Sequence, residues 1–202
     1  MNQNIATIIA QIRQLESELE LELARGRLDL AFTVKEGVVR FEERILKRHR
    51  QLKSNLAAYI LRARPLMILS APIIYILLVP FMLLDLFISL YQLTCFPVYG
   101  IPSVRRGDYI VFDRAHLAYL NLIEKINCSY CSYANGLIAY VREIASLTEQ
   151  FWCPIKHARR VAATHTRYAR FVDYGDAEQY HEELETLRKQ LQKGNGETPT
   201  PL

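Results

Sequence analysis

Four residues in the last half of the chain have the types and spacing that chemistry requires: Cys128 and Cys131 with two residues between them, then Cys153 and His157 with three. Three thiolates and an imidazole suit a tetrahedral ion, because such short spacers let both members of a pair reach one metal, and zinc accepts mixed Cys/His ligation. Iron or an iron–sulfur cluster is the alternative the same thiolates allow. A closed four-ligand zinc site is structural, since it leaves no coordination position for a substrate. A redox dithiol at Cys128 and Cys131, or unligated thiols packed as small apolar groups, are the competing readings. Geometry sets a condition on the shared site. If residues 137–150 form one straight helix of about 21 Å, the two pairs meet only where the connecting chain doubles back. Otherwise the pairs are half-sites, or are completed by another subunit.

Other reactive side chains point to less specific roles. Asp85 lies inside a long apolar run, where an ionised carboxylate costs at least ~2.5 kcal/mol, so it must be neutral, paired or turned to water. Glu124, Glu143 and His116 could join a metal or thiol centre, although single carboxylates on helices are most often surface groups. Cys95 packs beside the apolar run. Tyr119, Tyr130, Tyr133, Tyr140, Phe151 and Trp152 read as core or membrane-interface anchors. Lys156, Arg159, Arg160, Arg167 and Arg170 make a basic face, either solvated or docked on anionic lipid headgroups. The chain has no nucleophile elbow, phosphate-binding glycine loop, dinucleotide fingerprint or paired-carboxylate di-iron motif.

The elements that must position these residues divide the chain by composition. Residues 65–104 contain one acid, Asp85, and no base, about twice the length one helix needs to cross a hydrocarbon core of ~30 Å. Pro80, with Pro72, predicts a helical hairpin that enters and leaves by one face; one long, kinked, tilted transmembrane helix is the competing reading. Arg44, Lys47, Arg48, Arg50, Lys53, Arg62 and Arg64 precede the stretch and Arg105, Arg106 and Arg114 follow it, a pattern that places both flanks in the cytoplasm.

Before that stretch, residues 1–64 read as amphipathic, coiled-coil-like helices. Ile5, Ile8, Ile12, Leu15 and Leu19 step by three and four along a narrow seam, which suits an amphipathic helix on its own domain or a short coiled coil. Arg25-Gly26 predicts an interruption. Leu28, Leu30, Phe32 and Val34 alternate as in a strand, but with no obvious partner they read as a broken helix resuming through Val38, Phe41, Ile45, Leu52 and Leu56. Residues 105–193 read as the helical Cys/His region: one helix capped by Asp113, a stop at Asn135-Gly136, a second helix to about Gln150, a third begun by Pro154 and running to Val172, and a fourth capped by Asp176. Residues 194–202 read as a disordered tail.

The expected fold class is therefore all-α. A formal charge of +4 without a reading motif or dense basic face argues against nucleic acid, and the N-terminus lacks the pattern of a secretory signal peptide. The mean hydropathy of +0.00 hides the contrast between segments.

The run CSYCSYANG followed by WCPIKHA resembles uncharacterised bacterial membrane proteins over roughly residues 106–160. That resemblance implies that the cysteine block belongs with the membrane stretch, and it carries no mechanism and no catalytic residue. The functional expectation is a scaffold or interaction protein anchored in a bacterial inner membrane, with a structural zinc site and a homo-oligomer or protein partner met through the N-terminal helices. A metal- or thiol-dependent membrane enzyme is the alternative.

Overall fold

Eighteen of the 27 residues from Gln3 to Asp29 are strong helix formers, and they wind into one helix, α1 (Gln3–Asp29), about 40 Å long. A computed structural model describes residues 3–29, 32–35, 38–41, 43–53, 55–62 and 64–193. The expected interruption at Arg25-Gly26 does not occur, because one exposed glycine costs only ~1 kcal/mol against alanine, too little to end a helix of this length. The apolar seam is not covered either: Ile8, Ile12, Leu15 and Leu19 are between 50% and 64% exposed. The expected disordered tail at residues 194–202 lies outside the described residues.

The described residues are mostly helical, and they include a short two-stranded sheet. β1 (Phe32–Lys35) pairs antiparallel with β2 (Val38–Phe41), with Phe32 opposite Phe41 and Lys35 opposite Val38. The broken-helix reading of Phe32 and Val34 is therefore corrected: they lie in a strand, and its partner follows after only two residues. Helix resumes only at α2 (Glu43–Gln51), followed by α3 (Leu56–Arg62). β2 packs against a 3-10 turn at Asp113–His116, and the His49 ring meets those of Phe41 and Tyr119, each at 5.1 Å between centroids. These segments form one of two compact units, joining the chain up to Pro65 to Phe112–Ser129.

The second unit joins Leu66–Val111 to residues 130–193. Its first half is apolar helix: α4 (Pro65–Ile76) and α5 (Leu78–Tyr99) meet at Leu77, whose backbone stays right-handed helical at φ −63°, ψ −15°. The helical hairpin at Pro80 is therefore corrected to a kinked, nearly continuous helix. Pro80 falls in the first turn of α5, where its missing N–H has no partner to lose, and its ring crowds the carbonyl four residues back at Ile76, which places the break there. Gly100, at φ +68°, ends α5 in the left-handed cap that a side chain would strain.

From Gly100 the chain runs back along α5 before entering α6 (Leu122–Trp152), a helix of 31 residues and about 46 Å. Asn121, and not Asp113, caps it. The Asn121 side chain accepts from the Glu124 amide at 3.0 Å, while Glu124 accepts from the Asn121 amide at 2.8 Å, a reciprocal capping box. The predicted stop at Asn135-Gly136 is likewise corrected, since α6 passes straight through it. α5 and α6 run in the same direction, with Asp85 level with Tyr133 and Tyr99 level with Phe151. The Gln92 side-chain amide pairs with the backbone of Val104, accepting at 2.8 Å and donating at 3.2 Å, and also donates to Tyr140 at 3.1 Å, so one residue pins both the return segment and α6. Phe96, Ile101, Val104, Ile110, Leu137, Tyr140, Ile144, Leu147 and Leu191 form the core around this arrangement.

Pro154 does not begin a third helix. Residues 153–167 are extended or turned, Ile155 makes an isolated bridge with Val172, and only Tyr168–Arg170 coils, as a 3-10 turn. The last helix, α7 (Ala177–Gln192), starts as expected at Asp176, whose carboxylate accepts from the Gln179 amide at 3.1 Å.

Candidate functional site

The structure separates the four residues the spacing had joined. Cys128 and Cys131 sit one turn apart on α6, Cys128 half-buried and Cys131 exposed, whereas Cys153 follows the other end of the same helix. Twenty-two helical steps part Cys131 from Cys153, about 33 Å, and a metal reaches thiolates at only ~2.3 Å. One ion held by Cys128, Cys131, Cys153 and His157 is therefore not formed within this chain, and the same distance bars a shared iron–sulfur cluster. The expectation failed because it required Asn135-Gly136 to let the chain double back. His157 is engaged locally: its ring stacks on Tyr168 at 6.1 Å, and its amide donates to the Tyr168 hydroxyl at 2.6 Å. Among the described residues, no group of three His, Cys, Asp or Glu side chains is gathered as a metal site.

Two carboxylates that stand isolated along the chain lie instead in assembled charged clusters. Asp85 is paired. Arg106 grips its carboxylate from the return segment with two bonds, Nε at 3.1 Å and Nη2 at 2.6 Å, Tyr133 of α6 donates at 3.0 Å, and Ser89 lies one turn on at 3.5 Å. The carboxylate holds the Arg106 guanidinium above its usual pKa, and burial, then Asp85, pushes the Tyr133 phenol up. The arrangement neutralises the one charge in the apolar helix and borders a shallow depression that Leu78, Met82 and Leu86 also line.

Glu143, further along α6, meets Arg167 at 2.6 Å with both side chains more than nine-tenths buried, and Arg167 also donates to Ser146 at 2.8 Å. The basic face thus loses Arg167 to the interior and Lys156 to Asp173 at 2.7 Å. Arg142 holds the Ala163 carbonyl at 2.5 Å, and His165 faces Glu149 at 3.0 Å, so the segment after α6 is fastened back onto it by polar contacts in place of a helix. His116 stays exposed in its 3-10 turn.

Burial, with Glu143 nearby, pushes the Tyr109 phenol up to about 12. The fold therefore favours the protonated phenol, and its contribution is complete below about 10 and is lost as the pH rises toward 12. Alkaline titration of the melting temperature should show this fall, and Tyr109→Phe should make it shallower. An equally steep fall in the variant would place the alkaline sensitivity elsewhere.

No protein-family model, curated protein or solved structure matches the chain. What the geometry establishes is a mostly helical protein with a helix, Pro65–Tyr99, long and apolar enough to cross a membrane.

Proposed function

We propose that this protein is a membrane-anchored interaction scaffold, held by the apolar helix Pro65–Tyr99 and associating through α1 with another helix. The observation that carries the reading is the open seam on α1. Ile8, Ile12, Leu15 and Leu19 recur at the three-and-four spacing of a coiled-coil stripe along a helix long enough to pair, and each is at least half exposed. Charge around the seam suits pairing with a chosen partner: Glu16 and Glu18 flank it, with Arg25 a turn or two further on. A second copy or a basic amphipathic helix would match it.

The shared zinc site is not part of this proposal, because α6 holds its two pairs apart. The enzyme alternative loses the same support. Asp85 is taken up by Arg106 and Tyr133, Glu143 by Arg167, and Cys131 lies far from Cys153.

The test is Ile8→Asp, Ile12→Asp and Leu15→Asp together in the full chain. Burial of each such side chain stabilises by about 1.5–3 kcal/mol, so association should weaken by more than about a hundredfold, read as sedimentation of the detergent-solubilised protein. Unchanged mass and unchanged partner capture would overturn the proposal.

A further inference from the structure

Length and hydropathy allow the apolar helix to cross a bilayer, but two observations concern how it sits there. Within the second unit, the chain leaving Tyr99 turns straight back along α5, so that Val104 lies level with Gln92 and Arg106 with Asp85. Were α5 to cross, the return would carry Arg105, Arg106 and Asp108 into hydrocarbon beside it, and Arg105 is 86% exposed. Within the first unit, the segments that flank the apolar helix are one body: β2 packs on the turn Asp113–His116, and the His49 ring meets Tyr119 edge-on. A single crossing would put those segments on opposite faces of the bilayer.

The two faces of the helix differ in a matching way. Asp85, Ser89 and Gln92 share the face that meets the return segment and α6, as do Phe96 and Tyr99. The opposite face carries Leu69, Ile76, Leu83, Leu90 and Val98 at steps of seven or eight residues, and all of them are exposed. At the Tyr99 end, Trp152 stands edge-on to Tyr99 at 5.4 Å and is half exposed, the aromatic composition of a membrane–water boundary.

Resting on the reading of this helix as the membrane attachment, we infer that it lies in the plane of one leaflet, with its protein-covered face toward water and the Leu69–Val98 face in the acyl chains. The protein is then monotopic. Both basic flanks stay on one side without a hairpin, and the ion pair of Asp85 with Arg106 sits at headgroup level, where water and phosphate reach the exposed part of the arginine.

Single cysteines placed in the full chain after Cys95, Cys128, Cys131 and Cys153 are changed to Ser test this in phosphatidylethanolamine/phosphatidylglycerol vesicles. Spin labels at Leu69→Cys, Leu83→Cys, Leu90→Cys and Val98→Cys should all report lipid contact at one shallow depth, about 5–10 Å below the headgroup boundary. Lys53→Cys and Asp113→Cys should react with an impermeant maleimide from the same side of sealed native vesicles. A depth profile with its maximum mid-helix, or labelling of the two flanks from opposite sides, overturns the in-plane inference and leaves the membrane attachment standing. Absence of lipid contact at all four sites, with a disulfide forming between copies through Leu90→Cys, overturns both and assigns the face to a second copy.

Discussion

Arg167→Met is expected to destabilise the protein by about 3–5 kcal/mol, because it strands the Glu143 carboxylate inside the fold without its cation. The substitution keeps much of the side-chain volume, so the loss reports charge and hydrogen bonding to Ser146 more than a cavity. Glu143→Leu combined with Arg167→Met removes both charges and should recover most of the loss, since a buried ion pair replaced by apolar groups is often neutral or stabilising. Denaturant unfolding in detergent measures both variants. If the single variant costs less than ~1 kcal/mol, or the pair does no better than the single, Glu143 is not held in a low-dielectric interior.

Gly136→Val should cost at or above the ~3 kcal/mol upper end of ordinary overpacking. A Cβ at this position would stand 2.5 Å from the Tyr109 carbonyl oxygen and 2.9 Å from the Ile110 Cα, both backbone atoms of the return segment. No rotamer change relieves such a clash. The segment must lift from α6, and the Gln92–Val104 pairing would loosen with it. Hydrogen exchange at the Val104 amide is therefore expected to rise in this variant along with the loss of stability; unchanged protection and a stability within ~0.5 kcal/mol of the parent would show that the segment can give way freely.

Gly136 also explains where the sequence misled. Asn-Gly is a strong signal for a helix end because glycine accepts positive φ, yet here the glycine serves close backbone approach inside a helix, and nothing local distinguishes the two uses. The misplaced stop then carried the metal reading with it, since only a chain that doubles back could bring Cys131 to Cys153. Pro80 misled in a related way. A proline reads as a breaker, but in the first turn of a helix it is tolerated, and a kink is all that results. Signals that act within a few residues were legible, as with the Asp176 cap and the apolar run, whereas the alternation of Phe32 and Val34 was misread as a broken helix because its partner strand was not recognised. The partners of Asp85 and Glu143 were not legible, because they arrive from 21 and 24 residues away along paths that the sequence does not specify.

The parallel course of α5 and α6 bears on how the protein is made. Parallel neighbours cannot be joined by a tight turn, so the cover for the polar face of α5 is synthesised late. Asp85 leaves the ribosome 21 residues before Arg106 and 48 before Tyr133, and Gln92 precedes Tyr140 by 48. At about 5–20 residues per second, the carboxylate waits roughly 1–4 s for its arginine and the glutamine roughly 2–10 s for its tyrosine. During that interval the nascent apolar helix carries one charge whose partners have not yet been made.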